Sequence, residues 1–324
     1  MQPLPLPALV THADWGSAAA KRYLAMARLQ PDGSYIAEAP QQVDNPDNLL
    51  RDLFAASGEQ TVLLGFDFPI GFPRRYAALA GVSSLLQILP ILGKPGTPWE
   101  DFFKVAETPE QISLRRPFYP LRPGQARQAH LLAALSAPSM DDLRRRCDLG
   151  YPGRRPAAPI FWTLGGQQVG KAAIHGWREV IIPAMQAGDP PLGIWPFSGP
   201  LGKLLDRKGL VIAETYPAEF YHQIGVRFSP PRRGEHSGKR SSNDRAANAG
   251  VIEGWAAKYA VHLERELLRQ IRSGFAHLTN GDDPFDATIG LLGMIGVLRR
   301  PVRAAVPPDA LIQTVEGWIM GQAG

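Results

Sequence analysis

The sequence predicts an α/β fold in which a mixed five-stranded sheet is flanked by helices and interrupted by a large, mainly helical insertion. Three observations point to it. Residues 1–73 read as strand, strand, strand, helix, strand; a short apolar run closing on an acid returns at Leu210 to Glu214; and the stretch between loses strand patterning. One domain over residues 1–324 is therefore expected, with its core from 1–73 and 209–324 and the insertion at 74–208.

Residues 7–14 (PALVTHAD) form an apolar run ending on Asp14, and Gly16 and Ser17 turn the chain into a second strand-like segment, Arg22 to Leu29. Asp32-Gly33 is a turn dipeptide, after which Ser34 to Glu38 gives a third short strand. Asn45 or Asp47 then caps a helix carrying Leu49, Leu50, Leu53 and Phe54. Thr61 to Asp67 (TVLLGFD) is apolar until its final acid, which suits a strand buried on both faces. From Pro73 to about Lys208, proline and glycine are frequent, helical stretches at Gln125 to Leu135 and Met140 to Cys147 alternate with loops, and no strand pattern appears before residue 210. Pro230 to Arg245 is polar, basic and poor in apolar residues, which predicts a mobile loop. Ala246 to Ile271 predicts one helix with Ile252, Trp255, Ala256, Tyr259, Leu263, Leu267 and Ile271 close to one face. Asp283 to Leu298 predicts the last core helix, with Pro284 in its first turn.

Composition narrows the function classes. Hydrophobic residues at 44% and charged residues at 20% give a globular chain rather than a disordered one. No apolar run has the length to span a bilayer, and the first residues lack the basic flank and apolar stretch of a secretory signal, so a cytoplasmic protein without a membrane partner is expected. Cys147 is the only cysteine, which excludes an intramolecular disulfide and a cysteine-cluster zinc or iron–sulfur site. A net charge of +5 and a sequence pI near 9.4 suit polyanionic partners, nucleic acid among them.

The acids carry the chemistry. Three strands end in one: Asp14, Asp67 and Glu214. The carboxyl ends of parallel strands line the ligand crevice of open α/β sheets, so these acids are expected to share one edge. Asp283 and Asp286 are three apart, hence on one helical face, with Asp282 adjacent. Carboxylates packed together repel and raise each other's pKa, so such a cluster calls for cations. Hard divalent ions, Mg²⁺ or Mn²⁺, prefer oxygen ligands, and two of them about 3.5 to 4 Å apart can activate a water and stabilise the leaving oxygen of a phosphodiester. The simpler role for an acid beside glycine or proline is a turn or a helix cap, and Asp283 before Pro284 suits it.

HADWGS at 12–17, GFDFPIGFP at 65–73, AETYPAEFY at 213–221, GDDPFDATIGLLGM at 281–294 and VEGWIMG at 315–321 together resemble a bacterial domain-of-unknown-function family of predicted ribonuclease-H-like nucleases. FWTLGGQQVG at 161–170 and IWPFSGP at 194–200 resemble that family's larger members, so the likeness spans nearly the whole chain. It implies a ribonuclease-H-like core and a divalent-metal-dependent nuclease. In the wider superfamily, which includes the Holliday-junction resolvases, metal ligands come from the first strand, the fourth strand and the last core helix. By position this implies Asp14, Asp67 and Asp283 with Asp286 as ligands, while Glu214 on the fifth strand is not a standard one.

Two other chemistries compete. Asp14-Trp15-Gly16-Ser17 also fits the phosphate loop of the actin and hexokinase fold, which makes an ATP-dependent phosphotransferase the second reading, although such enzymes repeat the core unit and only one set of core strands is present. A third reading is a nucleic-acid-binding protein without catalysis. Gly165 to Lys171 has phosphate-loop spacing, but Ala172 stands where the magnesium-binding hydroxyl belongs. No Gly-x-Ser-x-Gly elbow is present, and His12 reads as a packed neighbour of Asp14. For a polyanionic substrate, Ser17, Arg232, Arg233, Lys239, Arg240 and Arg245 are the expected phosphate contacts, with Arg144 to Arg146 and Arg154 to Arg155 behind them. Trp15, Trp99 and Trp162 are candidates for base stacking, though tryptophan more often serves the core.

Overall fold

Eight strands join one mixed sheet: β1 (Leu9–Trp15), β2 (Arg22–Leu29), β3 (Tyr35–Ala37), β4 (Gln41–Gln42), β5 (Val62–Phe66), β6 (Leu192–Trp195), β7 (Leu210–Glu214) and β8 (Val261–Leu263). They are seen in a computed structural model that describes residues 3–151, 154–165, 169–228 and 238–323. The spatial order is β6-β7-β5-β1-β2-β3-β8, with β4 beside β2. β1, β2 and β3 form an antiparallel meander, whereas β5, β7 and β6 run parallel to β1. Every residue of β1, β5 and β7 is buried, as their nearly continuous apolar sequences require.

Helices cover both faces of the sheet. One face packs on the Leu49–Ala56 helix and on the segment between β5 and β7 through Phe66, Phe72, Phe102, Phe118 and Trp177. The other face packs on the Asp282–Arg299 helix, the Pro217–Ile224 helix and their neighbours. The Asp282–Arg299 helix is buried without a break from Pro284 to Leu298, so it is apolar all round rather than amphipathic. Gly290 and Gly293 let it close on the sheet and on the Pro217–Ile224 helix: a Cβ at Gly290 would strike the His12 ring, and one at Gly293 the ring of Phe220. No helix among the described residues is long and apolar enough to cross a membrane.

Three expectations need correction. β6 lies inside the stretch expected to lack strands; it is four residues between Pro190-Pro191 and Pro196, too short to show a period, and pairs only at the sheet edge with β7. The helix expected over 246–271 is broken into Ala249–Lys258, β8 and Arg265–Arg272. Tyr259, Leu263, Leu267 and Ile271 keep a four-residue spacing across the break, but Ala260 turns into left-handed backbone (φ 53°) and Val261 to Leu263 pair with β3 instead. In the segment expected as a loop, Ser241 caps a short helix, Ser242–Ala246, by accepting the Asp244 N–H at 3.2 Å. Residues 229–237 of that segment lie outside the described residues.

Candidate functional site

The register of the parallel strands decides which acids meet. Ala13 is level with Phe66, and Phe66 with Glu214. Asp14 and Asp67 therefore follow one step later and point to the face of the Asp282–Arg299 helix, while Glu214 points to the opposite face. At the carboxyl end of β1 and β5 a cavity of about 420 Å³ is lined by Asp14, Asp67, Asp283 and Asp286. Ser17, Lys21 and Lys239 line it too.

Asp14 is buried, and the Trp15 N–H donates to Asp67 Oδ1 at 2.8 Å. Burial, then the charges of Asp67 and Asp286, hold the Asp14 carboxyl well above the usual carboxylate range. Burial also raises Asp67, against the hydrogen bonds it accepts from the Asp14 carboxyl and the Trp15 N–H. Of the two, Asp14 is pushed further toward its protonated form. Asp283 is pushed up to about 7 by burial and by neighbouring Asp282, with Lys21 and Lys239 acting the other way. Its Oδ2 is buried with no hydrogen-bond partner among the described residues.

Asp286 accepts hydrogen bonds from the Tyr221 hydroxyl and from the Lys239 ammonium. Tyr221 comes from the Pro217–Ile224 helix, which starts directly after β7 with Pro217 in its first turn. Burial and then Asp286 raise the Tyr221 phenol, keeping it a donor. Lys239 sits on the turn Gly238–Arg240, held by the Gly238 N–H on Asp244 Oδ2 at 2.8 Å and by Arg245 Nη1 on the Lys239 carbonyl at 2.5 Å. Burial works against its charge, but Asp286 prevails and leaves its pKa raised. Sequence reasoning missed Tyr221 and Lys21; Tyr221 follows Pro217 by four residues, one turn into the helix that starts after β7, which was the available signal.

Glu214 is elsewhere, in a separate buried ion cluster. Arg145, fully buried, donates to Glu214 Oε2 and Oε1 at 2.5 and 2.6 Å and to Asp148 Oδ2 and Oδ1 at 2.8 Å each. Glu214 Oε2 also accepts the Ile70 N–H at 2.7 Å. Cys147, Asp148 and Glu214 offer three ligand atoms within 4.8 Å of one another. A cation is already there, however: the Arg145 guanidinium is paired with both acids, and burial pushes the Cys147 thiol well above its ordinary value, which keeps it a poor ligand.

The remaining candidates divide. Ser17 lines the cavity, and Arg240 is exposed on the Lys239 turn. Arg245 is buried and spent on the Gly274 and Lys239 carbonyls, which removes it as a phosphate contact. Arg144 is committed to the Ala157 carbonyl and Asp141, and Arg154 to the Cys147 and Leu149 carbonyls. Arg232 and Arg233 lie outside the described residues, as do Gly166 to Gln168 of the glycine loop. Trp15 packs edge-on to Phe66 at 5.3 Å and Trp99 to Phe102 at 5.8 Å, both buried, so they build the core and do not stack bases. Burial pushes His12 down to about 3, and it packs as a neutral ring over Gly290.

Comparison of the chain with protein-family models, curated proteins and solved structures finds no match in any of the three.

Proposed function

We propose that this chain is a divalent-metal-dependent phosphodiesterase acting on nucleic acid, built on a ribonuclease-H-like core. The convergence of Asp14, Asp67, Asp283 and Asp286 from three separate elements on one cavity carries the proposal. The strand order β3-β2-β1-β5-β7, an antiparallel meander followed by parallel strands, supports the same core, with β6 and β8 as additions at its edges. A single sheet among the described residues leaves the phosphotransferase reading without its second unit.

The donor set fits a hard cation. It consists of carboxylate oxygens alone, one of them is buried without a partner, and burial with like charge raises three of the four acids. Asp14, Asp67 and Asp283 with Asp286 would hold Mg²⁺ or Mn²⁺, which when bound supplies water activation and charge for a leaving oxygen. The chain's own groups set the geometry around that position. The Trp15 N–H fixes the Asp67 carboxylate, Tyr221 and Lys239 fix Asp286, and Lys21 places a positive charge at the mouth where a phosphate would come in.

The test is cleavage of a DNA and RNA panel with Mg²⁺ or Mn²⁺. Asp14→Asn and Asp67→Asn should each reduce the rate by about 100-fold or more, since even outer-shell changes at metal sites cost about 10- to 100-fold. A chain that cleaves no panel member, or an Asp14→Asn variant as active as the parent, contradicts the proposal.

A further inference from the structure

The acid cavity already contains a cation of its own. The Lys239 ammonium hydrogen-bonds Asp286 Oδ2, although the lysine side chain is 46% exposed and that of Asp286 only 4%. The Tyr221 hydroxyl donates to the other oxygen, Oδ1, so both oxygens of Asp286 are taken by donors. Asp283 Oδ2, by contrast, is buried with no hydrogen-bond partner among the described residues. From this division we infer that the Lys239 ammonium fills the second cation position of the acid cluster, so that the site loads one divalent ion per chain and not two. The inference rests on the proposed reading of the four acids as a cation site.

Lys239 is brought to Asp286 by a residue that also packs on the start of the helix carrying that acid. Arg245 Nη1 donates to the Lys239 carbonyl at 2.5 Å and its Nε to the Gly274 carbonyl at 2.8 Å. The same guanidinium lies against Gly281, the residue before the Asp282–Arg299 helix: a Cβ there would meet Arg245 Nη2 and the Phe275 carbonyl, each at 2.5 Å. The Gly238 N–H on Asp244 Oδ2 at 2.8 Å and the Asp244 N–H on Ser241 Oγ at 3.2 Å hold the turn in shape. Turn and helix are therefore set against each other through Arg245, and the ammonium meets Asp286 between them.

Charge leads to the same number of ions. Carboxylate ligands bind a metal in their ionised form, and Asp14, Asp67, Asp283 and Asp286 then carry four negative charges. Lys21 and Lys239, which line the same cavity, offset two of them, and one divalent ion offsets the other two. A second divalent ion would leave two positive charges in excess, and it would compete for Asp286 Oδ2 with an ammonium already bonded there. Asp282 lies outside the cavity lining, where its charge is met by Arg245 as well as by Lys239. The charge of Lys239 reaches the rest of the cluster: it holds Asp67 and Asp283 down against their burial, and Asp14 acts back on it. The fold uses the same device at Glu214, where Arg145 is the cation between two buried acids.

The experiment counts Mn²⁺ bound to the full chain by equilibrium dialysis and records the electron paramagnetic resonance spectrum of the bound ions, with the metal-free Tm of each variant as the check on folding. The parent and Lys239→Arg, which keep the positive charge, should each bind one ion with the spectrum of an isolated Mn²⁺. Lys239→Met and Lys239→Gln, which vacate the position beside Asp286, should each bind two, and two ions in one cluster about 3.5 to 4 Å apart give an exchange-coupled spectrum. Two coupled ions in the parent overturn the inference and leave the acids standing as a cation site. One ion in both neutral variants, or a second that is not coupled to the first, overturns it too, because the ammonium then holds no ion's place. No ion bound to the parent overturns both the inference and the cation-site reading.

Discussion

Buried Asp14 beside half-buried Asp67 is held well above the usual carboxylate range, and one residue of register separates that pair from a different electrostatic solution at Glu214. At Glu214 the cation is built in: Arg145 is clamped between Glu214 and Asp148 with no exposure of its side chain. Removing the cation strands two buried acids, so Arg145→Met should cost about 3 to 5 kcal/mol in urea unfolding. Glu214→Gln leaves the Arg145 to Asp148 pair neutral and keeps an acceptor for the Ile70 N–H, so it should cost less. An Arg145→Met variant within about 1 kcal/mol of the parent, or one milder than Glu214→Gln, contradicts this ordering. Asp14 and Asp67 were legible as candidates because each closes an apolar run. That Glu214 faces the other way was not, because one residue of register reverses a side chain and the sequence does not print register.

At the scale of elements, the Asp282–Arg299 helix delivers Asp283 and Asp286 by lying hard against β1, and glycine makes that approach possible. Gly290→Ala drives a methyl into the buried His12 ring and should destabilise the fold by about 1 to 3 kcal/mol, with loss of metal-dependent activity as the helix is pushed outward. Unchanged unfolding and unchanged activity would mean that the helix seats differently. This helix, the β1 to β3 meander, β5 and β7 could be read from the sequence because each is either long and apolar or bounded by turn residues. β6 and β8 could not: both are short strands whose existence depends on a neighbour already in place, β7 for one and β3 for the other. Lys239 was legible only as one basic residue among several. Its selection from that group follows from Ser241, Asp244 and Arg245, which fix the turn that carries it.

Over the whole molecule, the acid cavity is a local cost that the rest of the fold supports. Asp283 titrates at about 7 in the folded chain against 3.8 unfolded, so its contribution is complete below pH 3.8 and is lost as pH rises through 7. Asp283→Asn removes that loss. The stability of the variant relative to the parent should therefore increase between pH 4 and pH 7 in metal-free buffer, and Mn²⁺ should abolish the advantage by stabilising the parent. A difference that stays constant over that range would show that Asp283 is not held in its raised state. The two faces of the sheet divide the labour: one is packed with aromatic residues from the segment between β5 and β7, and the other carries the long helix that brings the acids.

The central claim is that four carboxylates from β1, β5 and the Asp282–Arg299 helix form one cation site, and calorimetric titration of Mn²⁺ into the parent chain and Asp67→Asn tests it most directly. Saturable binding to the parent, weakened at least about 10-fold in Asp67→Asn, is the expected result. Absence of binding to the parent, or equal binding to both, contradicts it.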